Sequence, residues 1–182
     1  MDTDLVVRAQ NGDKAAFALL AAGIAKRFLA VSRRILRDLD VAEDAAQQAL
    51  VAVWRDLPQL RDPTRFDAWS YRLLVHECYA ASRKERRWAP NLRLLPADEP
   101  TSSAAMDAIE HRDQLETGIR RLSIDHRAVL VLTAYADLPP DRVAQILGIP
   151  VGTVHSRLHH AMRAMRAALD ADARPVAQEV AR

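Results

Sequence analysis

LPPDRVAQILGIPVGTVHSRLHHAMRAMRAAL, residues 138–169, reads as two helices around a tight turn. Pro139 and Pro140 suit a helix start, where the missing amide hydrogen would be unpaired anyway, and Val143, Ile146 and Leu147 then share one face. Gly148 supplies the left-handed residue that ends this helix, and Ile149-Pro150 redirects the chain. A second helix over residues 151–169 sets Val154, Leu158, Ala161, Met165 and Leu169 on an apolar face. Its polar face holds Thr153, His155, Ser156, Arg157, His159, His160 and Arg163, and no acid. A short helix, a glycine turn and a longer helix with a basic, hydrogen-bonding side form the helix-turn-helix pattern, whose second helix enters the major groove of duplex DNA. The alternative is an ordinary helical hairpin, whose turns also favour glycine.

The rest of the 182 residues agree with an all-α fold. Alanine, leucine, arginine and glutamine are abundant, glycine occurs five times, and no period-2 apolar run is bounded by hairpin turns. With 49% hydrophobic and 27% charged residues the chain is globular rather than disordered. The formal net charge of +2 conceals an uneven distribution: 15 basic and 12 acidic residues in 1–88, 2 and 6 in 89–119, 9 and 6 in 120–182. Basic ends around an acidic middle fit a polyanionic partner, and solvated surface charge accounts for the same numbers.

Cys78 is the only cysteine, which excludes an internal disulfide and a cysteine-based zinc site and suits a reducing cytoplasm. On an apolar helix it reads as a small buried hydrophobe. The apolar run at residues 15–25 is too short to span a bilayer, and Asp2 and Asp4 stand where a signal peptide needs positive charge. Neither export nor membrane insertion is therefore expected.

Ahead of the motif, residues 4–37 predict one or two helices bent near Asn11-Gly12, with Asp13 as cap and an inward stripe of Phe17, Leu20, Ile24, Phe28, Val31 and Ile35. Asp40 is placed to cap a helix over 41–57, with Glu43 and Asp44 in its first turn and Leu50, Val53, Trp54 and Leu57 inward. Its other face, Glu43, Asp44, Gln47 and Gln48, is plain solvated surface or a docking patch for a basic helix. After a loop at 58–63, Thr64 caps a helix to about residue 87. Phe66, Trp69 and Tyr71 crowd its start and Arg83-Lys84-Arg86-Arg87 its end. Core packing explains each ring singly, but rings interleaved with arginine are also what stacks unpaired bases and pairs their phosphates. Residues 89–103 are a proline-containing linker, helicity resumes near Ala104, and Ser123 caps the helix that leads into the motif. Two small helical domains on a flexible tether follow, at residues 1–88 and 104–170, with a tail at 171–182.

Four stretches together resemble the bacterial extracytoplasmic-function sigma factors: Glu43-Asp44-Ala45-Ala46-Gln47, Val53-Trp54-Arg55, Phe66-Asp67-Ala68-Trp69-Ser70-Tyr71-Arg72, and the run from Gly148 through Thr153-Val154-His155-Ser156-Arg157-Leu158. The resemblance covers nearly the whole chain and implies a dissociable initiation subunit of RNA polymerase. Its first domain would hold the polymerase clamp helices and capture the melted −10 element; its second would lie at the flap and read the −35 element as duplex.

Carried over by position, Glu43, Asp44, Gln47 and Gln48 fall on the polymerase-binding helix. The loop at 60–65, with Arg61 and Arg65, matches the one that pockets a flipped −10 base. Phe66, Trp69 and Tyr71 brace that loop, and Arg72, His76, Arg83 and Lys84 lie near the strand. His155, Ser156, His159 and His160 match positions facing −35 bases, with Thr153, Arg157 and Arg163 on phosphates or framework. An anti-sigma factor is the regulatory partner the family implies, and no cofactor is called for.

The chain departs from the family pattern at His76, where asparagine is common, and near Ala80, where aspartate is. His155, His160 and Met162 replace frequent basic residues of the reading helix. Neutral histidine lacks the bidentate fork of arginine, so weak or pH-dependent −35 binding is expected. His155 and His159 are four apart, a metal-compatible spacing, yet no third ligand, HExxH motif or cysteine pair accompanies them. No glycine-rich phosphate loop or serine elbow points to catalysis. Two further readings stay open. One is a sigma-like decoy that sequesters an anti-sigma factor without directing transcription. The other is a dimeric helix-turn-helix repressor, which leaves the Trp54 and Trp69 segments and the linker unexplained.

Overall fold

Short polar side chains set where the helices of this chain begin. In the computed structural model, which describes residues 2–88, 118–119 and 122–172, Asp2 accepts from the Asp4 amide to open α1 (Thr3–Gln10) and Asp13 from the Ala16 amide to open α2 (Lys14–Leu36). Asp38 accepts from the Val41 amide to open α3 (Leu39–Asp56). Each satisfies an amide that the first helical turn leaves without a partner. The cap of α3 is thus Asp38 and not Asp40: both have the right chemistry, but the helix starts two residues earlier, so Asp40 enters the first turn.

A 3₁₀ turn at Leu57–Gln59 and another at Pro63–Arg65 lead into α4 (Phe66–Trp88). Thr64 does not cap α4. Its amide and hydroxyl both donate to Asp62, at 3.0 and 2.6 Å, so Asp62 organises the turn. In the second half Ser123 caps α5 (Ile124–Leu130), which continues as a π-helical segment, Val131–Tyr135. Next come α6 (Pro140–Leu147), ended by Gly148 at φ 65°, and α7 (Val151–Asp172). No strand occurs among the described residues. The predicted linker at 89–103 and the helix resuming at 104 lie outside them, as does the tail beyond 172.

The centre of the first half is α2, packed against α3, α4 and α1. Leu20, Ile24, Phe28, Val31 and Ile35 form its buried stripe. Each such side chain contributes about 1.5–3 kcal/mol by leaving water. By length and composition α2 is also apolar enough to cross a membrane. The residue 15–25 run is therefore part of a longer apolar helix, whose inward face is covered by neighbouring helices. Ser32, fully buried, donates 2.9 Å to the Ala42 carbonyl and fixes α2 to α3. The inner face of α3 is built from Ala42, Ala45, Ala46, Ala49, Ala52 and Val53. Trp54 is not inward: it stays 46% exposed, its ring edge-on to Phe17 at 4.5 Å. Cys78 is buried, and burial pushes its thiol up to about 12.

The second half joins the same core. Ile124, Ala128, Val129, Val131, Leu132, Val143, Ile146 and Val154 are continuous with the apolar cluster of α1–α4. The α6 helix packs on α4, and α5 with its π-helical extension packs on α2. A smaller cluster of Leu122, Ala161 and Met165 holds α7 to the segment before α5.

Candidate nucleic-acid interface

The loop between α3 and α4 is shaped from behind by α1. The Gln10 carboxamide donates to the carbonyls of Leu57 and Leu60, at 3.1 and 2.7 Å. Asp62, held below the usual carboxylate range by the Thr64 hydroxyl and amide, fixes the other end. Between these clamps Leu60, Arg61, Asp62, Arg65, Ala68, Trp69 and Arg72 line a cleft of about 240 Å³, to which α6 adds Gln145. Arg61, Arg65 and Arg72 are exposed and Trp69 is half-buried, so the cleft offers one ring face and three guanidinium groups. One accessible ring face among three cations is the chemistry that stacking of an unpaired base and pairing of its phosphates require.

The other two rings of this stretch do not reach the cleft. Phe66 and Tyr71 are buried, Phe66 6.0 Å from Trp69 and Tyr71 6.1 Å from Phe28, so they brace the wall from inside. Burial raises the Tyr71 hydroxyl above its ordinary value. Farther along α4, His76 is exposed 3.3 Å from Glu77, and Arg83 and Lys84 are exposed beyond it.

The second surface is α7. Its amides start free of any preceding helix because Gly148 and Pro150 turn the chain, and Val154, Ala161 and Met165 pin its inner side. His155, Ser156, His159, His160 and Arg163 are exposed on the outer side, and Thr153 is half-buried. Arg157 behaves differently: its side chain is 27% exposed and lies 3.8 Å from Asp125 of α5. His160 stands 6.0 Å, centre to centre, from His126 and from His159, with Arg163 3.4 Å from its Nδ1. Among the described residues no three or more His, Cys, Asp or Glu are grouped as metal ligands.

The third surface is on α3, where Glu43, Asp44, Gln47 and Gln48 are all exposed. Glu43 is engaged by Arg33 at 2.6 Å, so Asp44 is the freer carboxylate. Asp44 and Gln48 border a groove of about 540 Å³ with an alanine floor, rimmed on α4 by Glu77, Lys84 and Glu85. Burial raises the Glu85 carboxyl. Val51 and Trp54, both exposed, extend this face. Sequence reading placed Trp54 inward and passed over Val51. The signal was the i+3, i+4 continuation from Gln47 and Gln48, which puts Val51 on their side of the helix.

Comparison with known proteins matches successive parts of the chain to two regions of one family. The model for Sigma-70 region 2 matches residues 20–88, and that for Sigma-70, region 4 matches residues 112–165. The chain is 31% identical over 180 residues to the RNA polymerase sigma-H factor of Pseudomonas aeruginosa, covering 92% of this chain and 93% of that protein. It is 28% identical over 176 residues to the ECF RNA polymerase sigma-E factor of Escherichia coli strain K12, covering 90% and 92%. Among solved structures, CnrH in complex with the cytosolic domain of CnrY matches with a TM-score of 0.72 and 26% identity, over 94% of this chain and 98% of that one.

Proposed function

The chain belongs to the extracytoplasmic-function sigma factors of the sigma-70 family, and from that premise we propose that α3 docks it on core RNA polymerase while α4 and α7 read the two elements of a promoter. The observation that carries this reading is the cleft beside Trp69, where one half-buried ring and the guanidinium groups of Arg61, Arg65 and Arg72 converge. A flipped −10 base stacks on Trp69, and its phosphates pair with the arginines. His76, Arg83 and Lys84 continue the path of the strand along α4.

On the second domain, residues 104–170, the α7 helix enters the major groove at the −35 element. His155, Ser156, His159 and His160 face base edges, while Thr153, Arg157 and Arg163 contact phosphates or hold the helix in place. Asp44, Gln47 and Gln48, with Val51 and Trp54 beside them, receive the polymerase clamp helices, and the second domain sits at the flap. The setting is the cytoplasm, where polymerase and promoters are. The chain is an initiation factor, and the chemistry of RNA synthesis is the polymerase's. CnrH is held by the cytosolic domain of another protein, which supports an anti-sigma factor as the partner of this chain. A decoy role is not favoured.

Run-off transcription of a genomic fragment library by core polymerase, with and without the protein, tests the reading. New start sites sharing two spaced upstream elements are expected, and Asp44→Ala or Trp69→Ala should remove them. Polymerase that neither binds the protein nor initiates at new sites would refute the proposal.

A further inference from the structure

The hydrogen-bonding sense of one histidine on α7 is set from within the protein. His160 is exposed, and the Arg163 guanidinium lies 3.4 Å from its Nδ1. Three residues apart on one helix, the two side chains are natural neighbours. A guanidinium has hydrogens to give and no lone pair to receive one, so the contact forms only with Nδ1 as the acceptor. The hydrogen of the neutral imidazole then sits on Nε2. Among the described residues nothing is hydrogen-bonded to that nitrogen, so it is the one His160 offers outward.

Two more rings surround this imidazole. His126 of α5 and His159 of α7 each stand 6.0 Å from it, centre to centre, at interplanar angles of 46° and 72°. His126 is itself anchored, its Nδ1 3.0 Å from the hydroxyl of Ser123, the cap of α5. A half-turn of the His160 ring would set Cδ2 where Nδ1 stands and leave the guanidinium facing carbon. The ring is therefore held with Nδ1 inward.

A histidine held in this way differs from arginine, which offers two parallel donors, and from an unrestrained imidazole, which donates or accepts through either nitrogen. It offers one donor. Guanine, with N7 beside O6, and adenine, with N7 beside an amine, both present N7 to the major groove. Cytosine presents only an amine there, which would meet the ring hydrogen to hydrogen, and thymine sets its O4 beside a methyl group.

We propose that His160 reads a purine N7 in the −35 element through Nε2–H, and that Arg163 is the positioning residue that keeps the ring a donor. The inference rests on the assignment of α7 to the −35 duplex, and adds to it the edge that one residue selects. Arg163 then acts through the imidazole rather than on a phosphate.

The test uses the full chain and a −35 duplex taken from the mapped start sites, with each purine in turn replaced by its 7-deaza analogue, which deletes N7 and keeps base pairing. In alkaline buffer, fluorescence anisotropy should show wild type losing about fivefold at one purine, the worth of one unmade hydrogen bond. His160→Ala should lose nothing at that purine. Arg163→Lys, still only a donor, should keep the wild-type ratio of affinities. Arg163→Glu accepts from Nδ1–H and leaves a lone pair on Nε2, so the ratio should vanish. The added negative charge weakens every duplex alike and cancels in the ratio. Long-range ¹H–¹⁵N spectra of the histidine rings, recorded without DNA, should place the His160 hydrogen on Nε2 in wild type and Arg163→Lys and on Nδ1 in Arg163→Glu. Both side chains are exposed, so these substitutions leave the core intact.

A wild-type chain indifferent to every N7, while exchanges of whole base pairs still cost affinity, would overturn the reading by His160 and leave α7 on the −35 element. An Arg163→Glu chain that keeps the wild-type ratio, or a wild-type ring with its hydrogen on Nδ1, would overturn the role of Arg163. Indifference to every base-pair exchange would instead remove α7 from the −35 element, and the proposal with it.

Discussion

Gln10 donates 2.7 Å to the carbonyl of Leu60, fifty residues away, and in doing so makes α1 the back wall of the loop between α3 and α4. Its second bond, to Leu57, means one carboxamide holds two carbonyls of the same turn. Gln10→Ala is expected to cost about 1–2 kcal/mol in urea-induced unfolding, since each lost bond is worth about 1 kcal/mol. Binding of a −10 oligonucleotide should weaken with it, because Leu60 and Arg61 lose their support. Unchanged stability together with unchanged strand affinity would show that the loop holds its shape without α1.

Trp69 and Phe66 are three residues apart and should fail in opposite ways. Trp69→Ala removes an accessible stacking face and is expected to weaken −10 strand binding by about 1–3 kcal/mol, with the unfolding midpoint little changed. Phe66→Ala empties a buried site and should cost about 3–5 kcal/mol of stability. Fluorescence anisotropy with a labelled strand, paired with urea unfolding of each variant, separates the two. Equal behaviour of both variants would remove Trp69 from the proposed site.

Asp13 opens α2 and also pairs with Arg8 at 2.6 Å. The Ala16 amide, and then Arg8, hold its carboxyl below the usual range. A folded-state pKa lower than the unfolded one adds stability that is complete above about pH 4 and lost as pH falls through the folded value. Asp13→Asn keeps the cap and removes the charge, so its thermal midpoint should fall below wild type at pH 7 and the difference should shrink as acid protonates the wild-type carboxyl. Asp13→Ala, which loses the cap too, should stay lower throughout.

A guanidinium in place of His160 should strengthen duplex binding by α7. His155, His159 and His160 share the exposed face of that helix, and an imidazole lacks the bidentate fork of arginine. His160→Arg is therefore expected to bind a −35 duplex more tightly, with a salt dependence steeper by about one counterion. A salt-titrated affinity indifferent to this substitution would exclude His160 from the proposed DNA contact.

Local signals in the sequence carried most of the helical framework. Gly148 ended α6 where a left-handed residue was needed, Asp13 capped α2, and the stripe from Leu20 to Ile35 lies buried as its period required. The misreadings have physical causes. Asp38 and Asp40 offer the same capping oxygen two residues apart, and only tertiary packing chooses between them. Trp54 looked inward because large apolar residues usually do, whereas α3 fills its inner face with alanine and leaves the indole at the rim.

The π-helical turn at Val131–Tyr135 inserts a residue that no apolar period announces. Contacts such as Arg34–Tyr135 and Gln10–Leu60 join positions far apart in the chain, and a single sequence contains no signal that pairs them. Arg61, Arg65, Trp69 and Arg72 were named from the chain and Gln145 of the cleft wall was not, and that Trp69 presents a face while Phe66 and Tyr71 are buried behind it is a matter of burial alone.

The alanine face of α3 has a mechanical consequence. Small side chains let helix axes approach toward the short end of the usual 8–10 Å spacing, and methyl groups have no rotamers with which to absorb a displacement. Ala42, Ala45, Ala46, Ala49 and Ala52 therefore make α3 a stiff strut wedged between its neighbours. A partner seated on the outer side of that strut meets a helix with no side-chain slack behind it, held directly against α2 and α4.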